Sequence, residues 1–414
     1  MSATVPRHVL IAGAGHAGGR VAQALRGFGF DGRITMVGEE PHTPYERPAL
    51  SKELLLGTRT VGQLMLEPRE FWLDEQQVIH RCGSIAAVYP NRTAVLAGGE
   101  QLPFDTLVVA TGGSARRLAI PGGDLPEVRT LRTIDDCLSL RGAMSQGRRL
   151  LVIGGGVIGM EAAASGAALG MRVTVLEGAA RVMARCLPPE GSQWLQALHA
   201  AHGVQVETGV TVRSIASIDG DCLVAARRDG QELAFSADLV LVAVGIAPAT
   251  AWLEHSGVAL ENGVLTDEFC RNPAAPWCYA VGDVANSFSP LYGRHLRQET
   301  WRNAENQARA VAAAIMGTSS EPYVELPWMW SDQFERNIQV VGMPTPGDAV
   351  ISRIAPGIEG GVLLWLHRGK VAGGMLVDSG RERKPLEMLV RRQAEIAPDA
   401  LRDPAISLKE LARA

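Results

Sequence analysis

The 414-residue sequence lacks the cysteine spacings, long apolar runs and basic charge that would indicate several common classes of protein. Its six cysteines form no CxxC pair, so they offer no zinc, iron–sulfur or thioredoxin-like spacing and suit a cytosolic protein with reduced thiols. No apolar run approaches the about 20 residues of a membrane helix. The net charge of −4 disfavours generic nucleic-acid binding. We expect a cytoplasmic protein without metal, membrane or nucleic-acid binding.

What is present is the composition of an ordinary folded protein, with 46% hydrophobic and 20% charged residues. A chain of this length predicts two or three domains. Two segments resemble each other: HVLIAGAGHAGGRVAQAL, followed by RITMVGEE, and RLLVIGGGVIGMEAAASGAALG, followed by RVTVLEG. Each predicts a strand, a Gly-rich turn, an Ala-rich helix and a second strand ending in an acidic residue. This is the pattern of a βαβ unit.

The first Gly-rich turn carries a dinucleotide-binding fingerprint. Gly13 permits the tight turn, Gly15 lets the backbone approach a pyrophosphate, and Gly18 lets the helix pack on the strand. The anion is expected at the free N–H groups of the helix N-terminus. Glu39 ends the next strand, where a carboxylate is expected to bind ribose hydroxyls.

The second turn repeats the arrangement with Gly154, Gly156 and Gly159. Glu177 ends its second strand, and a carboxylate there accepts from a free ribose 2′-hydroxyl and repels a 2′-phosphate. NADH is therefore expected over NADPH, although Arg181 and Arg185 follow and would soften that preference. Two different dinucleotides in one chain usually mean that hydride passes from a nicotinamide to a flavin.

The remaining segments complete two parallel sheets and add a third domain. TLVVATGG, LVLVAVGIAP and WCYAVGDVA predict short buried strands, and TWRNAENQARAVAAAIMG predicts a buried helix. From about Glu321 the alternating segments WMWSDQFERNIQVVG and GGVLLWLHRGKVAGGMLV predict antiparallel strands, followed by two helical stretches. This part is expected to form an α+β domain.

The motifs GAGHAG, EEPHTPYERPALSK, GGGVIGME, VAVGIAP, YAVGDVA, ETWRNAENQA and WMWSDQFE together resemble one family. This family, the putidaredoxin-reductase-like group, consists of the FAD-dependent ferredoxin reductases that serve aromatic-ring dioxygenases and bacterial cytochrome P450 systems. The resemblance implies an α/β protein with two Rossmann-like, glutathione-reductase-like dinucleotide-binding domains and a C-terminal α+β domain. It places an FAD-binding domain at 1–112 and 246–320, an NADH-binding domain at 113–245, and the C-terminal domain at 321–414.

The resemblance also implies which residues contact each cofactor. For FAD they are Gly13, Ala14, Gly15, Ala17, Gly18, Glu39, Arg47, Lys52, Ile85, Thr111, Gly112, Arg132, Gly282, Asp283 and Trp301. For NADH they are Gly154, Gly155, Gly156, Val157, Ile158, Gly159, Glu161, Glu177, Arg185, Val244 and Gly245.

Three residues are expected to act in the reaction itself. In the family, a lysine at the position of Lys52 sits close to the flavin N5 and pairs with the glutamate that matches Glu161. A cation there stabilises the negative charge that develops on reduced flavin, and the carboxylate orients it. Trp330 is expected against the flavin–nicotinamide site. Taken without the family, Lys52 and Glu161 suit a solvated lysine and a glutamate favoured by a helix dipole.

An absent cysteine sets the expected route of the electrons. Related disulfide reductases carry a CxxxxC pair beyond the first fingerprint acid, whereas Pro41–Lys52 contains no cysteine. Electrons must then leave the flavin directly, and a one-electron acceptor such as a [2Fe–2S] ferredoxin suits this route. The alternatives are a rubredoxin or monodehydroascorbate reductase, a flavin oxidase, or a redox sensor like the apoptosis-inducing flavoproteins. A monomer or weak dimer is expected.

Overall fold

A computed structural model describes residues 5–218, 220–354 and 357–413 of the chain. These residues form two compact units. The first unit comprises Met1–Arg47, Val61–Ser114 and Ala247–Glu325. The second comprises Pro48–Thr60, Ala115–Ile246 and Leu326–Ala414.

Nine α-helices occur in the described residues, and none of them is long and apolar enough to cross a membrane. They are α1 His16–Gly27, α2 Glu53–Leu56, α3 Ile134–Ala143, α4 Val157–Ala168, α5 Pro189–Ala201, α6 Trp301–Ile315, α7 Arg383–Arg391, α8 Pro398–Arg402 and α9 Leu408–Leu411.

The strands of the described residues follow in chain order. Those before the second Gly-rich turn are β1 His8–Ala12, β2 Arg33–Gly38, β3 Val78–Cys82, β4 Ile85–Tyr89, β5 Thr93–Leu96, β6 Gln101–Pro103, β7 Thr106–Val109, β8 Gly113–Ala115, β9 Val128–Thr130 and β10 Arg149–Ile153. Those after it are β11 Arg172–Glu177, β12 Gln205–Thr208, β13 Thr211–Ile218, β14 Asp221–Arg228, β15 Gln231–Ala237, β16 Leu239–Val242, β17 Ile246–Pro248, β18 Val264–Thr266, β19 Cys278–Ala280, β20 Ala285–Ser289, β21 Arg294–Arg297, β22 Trp328–Gln333, β23 Arg336–Gly342, β24 Ala349–Ser352, β25 Gly361–His367 and β26 Lys370–Val377.

The first unit is built on a five-stranded parallel sheet in the order β19-β7-β1-β2-β3. Its central strand is apolar on both faces, as expected for a sheet covered on both sides. Val9 and Ile11 face a core that includes residues of α1 and α6, while Leu10 and Ala12 face a core that includes the antiparallel strands β4 to β6. The first Gly-rich turn follows this central strand.

The second unit repeats the plan with a parallel sheet in the order β12-β11-β10-β16-β9. A three-stranded antiparallel sheet, β13-β14-β15, shares a hydrophobic core with it. The second Gly-rich turn follows β10, which is again flanked on both sides by parallel strands. In both units the turn therefore opens at the carboxyl end of the central strand, where nucleotide-binding sheets place their ligand.

The C-terminal part of the second unit is a five-stranded antiparallel sheet in the order β22-β23-β26-β25-β24. Helix α7 packs on β23 and β26. Its buried residues Leu386, Leu389 and Val390 lie at the spacing of one helical face. The predicted fold class, two Rossmann-like domains and a C-terminal α+β domain, is confirmed. The three predicted sets of domain boundaries stay a prediction.

Candidate functional site

The first Gly-rich turn has the geometry that a dinucleotide requires. Gly13 has φ +113°, and a Cβ atom added to it would lie 2.3 Å from the carbonyl oxygen of Ala110. A Cβ on Gly18 would lie 2.0 Å from the carbonyl oxygen of Gly13. Because Gly15 caps α1 without a side-chain hydrogen bond, the first N–H groups of the helix remain for an anionic ligand. The turn therefore fits the pyrophosphate of a dinucleotide.

An arginine stands beside this turn. The guanidinium of Arg47 lies 3.5 Å from the position of a Cβ on Gly15. It donates to the carboxylate of Glu40 at 2.6 Å and to the hydroxyl of Tyr45 at 2.9 Å. Tyr45 in turn donates to Glu40 at 2.6 Å. Glu39, the predicted ribose ligand, is exposed after β2. The charge of Arg47 is thus held next to the predicted phosphate position.

Gly282, which Asp283 follows in the chain, lies against helix α1. Gly282 has φ +71°, and a Cβ on it would lie 3.2 Å from Cβ of Ala17. The backbone N–H of Gly282 donates to the side-chain oxygen of Gln307 on α6 at 2.8 Å. Asn303 donates to the same oxygen at 3.1 Å, and both amide side chains are buried. Helix α6 therefore fixes this predicted FAD segment against the fingerprint helix α1.

The other predicted FAD residues are distributed over both units. Thr111 donates its hydroxyl to the carbonyl oxygen of Ala249 at 2.9 Å, and Gly112 follows it with φ +63°. Trp301 begins α6, and its ring centroid lies 5.5 Å from that of His16. Remaining sites are Ala14 in the turn and Ile85 at the start of β4, both in the first unit, and Lys52 and Arg132 in the second.

The second Gly-rich turn reproduces the first. Gly154 has φ +110°, and a Cβ on it would lie 2.5 Å from the carbonyl oxygen of Ala243. A Cβ on Gly159 would lie 1.9 Å from the carbonyl oxygen of Gly154. Gly156 caps α4 without a side-chain hydrogen bond, and no described atom lies within 4 Å of its Cβ position. The residues present therefore fit a second pyrophosphate.

Glu177 lies inside this turn. Its carboxylate accepts from the backbone N–H of Gly155 at 2.6 Å and from that of Ala179 at 2.6 Å. Arg181 donates to the carbonyl oxygens of Ala184 and Leu187 and to the hydroxyl of Ser192. Arg185 is exposed.

The remaining predicted NADH residues border the same turn. Val157 and Ile158 open α4, and Ile158 is 43% exposed, which is unusual for its type in a folded core. Val244 and Gly245 follow the carbonyl group of Ala243 that closes over Gly154. The structure therefore brings Gly154, Gly155, Glu177 and Val244 together at one edge of the sheet.

Lys52 and Glu161 form a buried pair. Lys52 immediately precedes α2, and its Nζ lies 3.7 Å from Oε1 of Glu161 and 3.6 Å from the carboxylate of Asp332. The same Nζ lies 5.4 Å from the ring centroid of Trp330. Lys52 is 6% exposed and Glu161 is 4% exposed. The three residues predicted to act in the reaction thus lie together.

Two hydroxyl groups complete the surroundings of Glu161. Ser51 donates to Oε2 of Glu161, and Ser331 donates to Oε1 at 2.7 Å. Burial raises the pKa of Glu161, while Lys52, Ser51 and Ser331 act in the opposite direction by stabilising the carboxylate. Neither serine nor Asp332 was predicted from the sequence. Ser331 and Asp332 stand in the WMWSDQFE motif and Ser51 precedes Lys52, but nothing in their spacing assigns them to Glu161.

The cysteines offer no redox pair. None of the six, all of which lie in the described residues, is joined in a disulfide, and four are buried. Burial raises the pKa of Cys137 to about 11 and that of Cys270 to about 12, and it also raises the pKa of Cys278. A thiol with a raised pKa supplies little thiolate, the nucleophilic form. These buried cysteines are therefore structural.

His16, which stands between Gly15 and Gly18 of the first turn, has a partner on another helix. It is 8% exposed, and its Nε2 lies 2.7 Å from the carboxylate of Glu305 on α6. Arg20 donates to the same oxygen at 2.5 Å. The contact fastens α1 to α6, a long-range pairing that sequence spacing does not encode.

Two parallel sheets, each with a dinucleotide turn, and a buried lysine–glutamate pair define a nicotinamide-dependent flavoprotein oxidoreductase. Comparison with known proteins agrees. The pattern of the pyridine nucleotide-disulphide oxidoreductase family matches residues 7–308, and that of the reductase C-terminal domain matches residues 328–412. The chain belongs to the pyridine nucleotide-disulphide oxidoreductase family. FAD and NAD(H), predicted from the two turns, are the cofactors of this family.

Individual relatives refine the family. The ferredoxin–NAD(+) reductase component of an anthranilate 1,2-dioxygenase system from Burkholderia cepacia is 35% identical over 97% of this chain and 98% of its own. The ferredoxin reductase of the CYP199A2 system from Rhodopseudomonas palustris has TM-score 0.93, 34% identity, and coverage of 98% and 100%. The putidaredoxin reductase–putidaredoxin complex gives TM-score 0.91, 32% identity, and 98% coverage of each chain. The predicted resemblance is confirmed.

Proposed function

We propose that this chain is an NADH-dependent reductase of a [2Fe–2S] ferredoxin that serves a Rieske dioxygenase or a cytochrome P450. The observation that carries the proposal is the buried pair of Lys52 and Glu161 beside Trp330, in a chain with two dinucleotide turns. Bound FAD supplies the chemistry that links NADH, a hydride donor, to an acceptor of single electrons. The predicted cytoplasmic location and the monomer or weak dimer belong to the same proposal.

The residues of the first unit hold FAD in this proposal. Gly13, Gly15 and Gly18 admit the pyrophosphate to the N-terminus of α1, and Arg47 adds positive charge beside it. Asp283 accepts from hydroxyl groups of the cofactor, at a position that Gln307 fixes through Gly282. The remaining FAD ligands are those assigned above by resemblance.

The residues of the second unit bind NADH and place a positive charge where negative charge develops during the reaction. The turn at Gly154 to Gly159 admits the pyrophosphate, and Glu177 selects a ribose without a 2′-phosphate. Lys52 supplies a fixed cation where negative charge develops, and Glu161 holds that cation in place. Trp330 covers one side of the lysine and restricts water.

The acceptor follows from the chain's chemistry and from its relatives. Buried thiols with raised pKa values provide no disulfide relay. The Burkholderia cepacia relative is named as a ferredoxin–NAD(+) reductase component, and putidaredoxin reductase forms a complex with putidaredoxin. A ferredoxin acceptor therefore suits this chain better than a protein thiol.

The test is single-turnover reduction by NADH of the FAD-loaded protein, with Lys52→Ala compared with wild type. We expect the rate constant to fall about 100-fold, the loss typical of removing one preorganised electrostatic contact, while FAD stays bound. Lys370→Ala is the matched control, because that lysine pairs with Glu395 and is 44% exposed. An unchanged rate for Lys52→Ala would refute the role.

Removing one member of a buried pair costs about 3–5 kcal/mol and can prevent folding. The double variant Lys52→Met, Glu161→Gln then replaces the single one, since it leaves no buried unpaired charge. In a second test, the accessible thiols of this protein are alkylated, the protein is reduced with NADH, and it is then mixed with a [2Fe–2S] ferredoxin. Electron transfer that survives alkylation supports a direct route, and its loss contradicts it.

A further inference from the structure

A chain of hydrogen bonds leads away from Glu161 through the second unit. Ser331 donates to Glu161 at 2.7 Å, and the side-chain amide of Gln333 donates to Ser331 at 2.9 Å. The oxygen of that amide lies 2.7 Å from Nε2 of His199 on α5. Ser331, Gln333 and His199 are each 0% exposed. No water competes for these groups, so each bond has its full effect on its neighbour.

The chemistry of the amide gives this chain a direction. The oxygen of Gln333 accepts only, so His199 must carry its proton on Nε2. The nitrogen of Gln333 donates only, so it occupies a lone pair of Ser331 and leaves the serine proton for Glu161. If the amide were turned over, its oxygen would attract that proton and Glu161 would lose a donor. The Nε2–H of His199 therefore selects the arrangement that stabilises the carboxylate.

The residue after Gln333 also contacts His199. Phe334 has φ +54°, a left-handed conformation that costs a bulky residue free energy and persists only where its surroundings enforce it. Its ring stacks on His202 with centroids 3.8 Å apart and meets the edge of His199 at 5.1 Å. The turn between β22 and β23 is thus held against the imidazole that Gln333 binds.

Ionisable side chains lie near both Glu161 and His199. Lys52 and Asp332 face Glu161, with opposite effects on its carboxylate. His202 faces His199 and pairs with Glu335 at 3.1 Å. Burial lowers the pKa of His199 to about 4, so its ring is neutral at ordinary pH and acts as a single N–H donor.

We propose that His199 is a positioning residue, which fixes the amide of Gln333 so that Ser331 donates to Glu161 and keeps that carboxylate ionised beside Lys52. The mechanistic importance of the inference rests on the proposed function, in which ionised Glu161 orients Lys52. Its structural content is independent of NADH and ferredoxin, because it concerns the ionisation of one carboxyl group of this chain.

The experiment follows Glu161 directly by infrared titration of the FAD-loaded protein, using the carboxyl band that Glu161→Gln abolishes. In Ser331→Ala, loss of one hydrogen bond to a charged group should raise the proton affinity of Glu161 about tenfold, a shift of about one pH unit. His199→Leu should shift the midpoint in the same direction by a smaller amount, because the amide is then free to turn over.

Two further variants decide the role of the imidazole. His199→Gln keeps an N–H donor and should restore the wild-type midpoint, whereas a purely structural histidine would give no such rescue. His367→Leu is the control, because His367 is an exposed histidine that pairs with Asp348, and it should leave the midpoint unchanged. If His199→Leu does not fold, His199→Phe removes the same N–H group, keeps a ring in its place, and should also raise the midpoint.

A wild-type midpoint in His199→Leu or in His199→Phe, or no rescue by His199→Gln, would overturn the proposal. Reduction by NADH, measured on the same variants, separates this failure from that of the proposed function. Slow reduction in Lys52→Ala with an unmoved infrared midpoint in His199→Leu would reject only the inference about His199. Normal reduction in Lys52→Ala would reject the role of the pair instead.

Discussion

The two Gly-rich turns have nearly the same backbone and different surroundings. Gly13 and Gly154 have φ +113° and +110°, and the Cβ positions of Gly18 and Gly159 fall 2.0 and 1.9 Å from a carbonyl oxygen. In the first turn an arginine stands 3.5 Å from the Cβ position of the middle glycine. In the second turn that position meets no described atom within 4 Å.

The acidic residues at the ends of β2 and β11 also differ between the two units, and here the second unit has the side chain with more contacts. Glu39 of the first unit is exposed, while the carboxylate of Glu177 is bonded to the backbone of its own turn. Backbone geometry therefore makes a dinucleotide site in both units, and the neighbouring side chains specialise it. Fixed positive charge suits a cofactor that stays bound, and an open turn with a positioned carboxylate suits a coenzyme that must be selected and released.

The largest effect is expected from Gly18→Val. The new side chain would meet the carbonyl group of Gly13, so α1 could not pack on β1 and the first turn would be lost. We expect protein without bound flavin, no activity with NADH, and unfolding free energy lower by about 3 kcal/mol. The flavin content measured by absorbance and the unfolding midpoint test this.

Gly27→Ala is the control for that change. It lies at the end of the same helix, where a Cβ would meet nothing within 4 Å, and alanine favours the helix by about 0.5–1 kcal/mol over glycine. Full flavin content in Gly18→Val would contradict the assignment of FAD to the first turn.

The same change in the second unit should separate the two cofactors. Gly159→Val should keep FAD and lose NADH, with kcat/KM for NADH lower by about 100-fold because the coenzyme is misplaced. Flavin content and steady-state kinetics measure the two effects independently. Loss of flavin in this variant, with NADH binding intact, would reverse our assignment of the turns.

Gly156→Ala sharpens this prediction. Its Cβ meets no described atom within 4 Å, so the protein itself should be as stable as wild type. The methyl group would still keep a pyrophosphate from approaching the backbone, and KM for NADH should rise by about tenfold. A normal KM would show that the coenzyme does not approach this glycine.

The sequence predicted the turns well because their geometry is local. Gly13 and Gly18, or Gly154 and Gly159, act within one βαβ unit, so their spacing alone indicates the strand, the turn and the helix. The acid at the end of the second strand belongs to the same local pattern. The fold class followed from two such patterns and from the change to alternating residues after Glu321.

The surroundings of the lysine–glutamate pair could not be predicted in this way. Ser51 precedes α2, Glu161 lies on α4, and Ser331 lies on β22, so the contact depends on how three distant segments pack. The family resemblance supplied Lys52 and Glu161 but none of their hydroxyl donors. Side-chain hydrogen bonds across long sequence separations carry no periodic pattern that spacing could reveal.

A smaller effect is expected from Glu177→Gln, which tests how the second turn selects its coenzyme. The amide cannot repel a 2′-phosphate, and the two backbone N–H groups that donate to Glu177 lose a charged acceptor. The ratio of kcat/KM for NADH to that for NADPH should fall about tenfold. Flavin content should stay at the wild-type level. An unchanged ratio would remove Glu177 from coenzyme selection and leave it as a support of the turn.

The last prediction concerns the dependence of stability on pH, which His199 should cause in the second unit. The pKa of its ring is lowered by burial from 6.5 to about 4, so above about pH 6.5 the ring is neutral in both folded and unfolded protein. Between pH 6.5 and 4 only the unfolded chain takes up this proton, and the free energy of unfolding falls by at most about 1.4 kcal/mol for each pH unit. His199→Gln does not titrate, so urea unfolding at pH 7.5 and pH 5 should show a smaller loss of stability in that variant than in wild type. His202→Gln is the control, because it leaves the buried ring of His199 in place. Equal losses in wild type and His199→Gln would mean that burial does not lower the pKa of His199 in the folded protein.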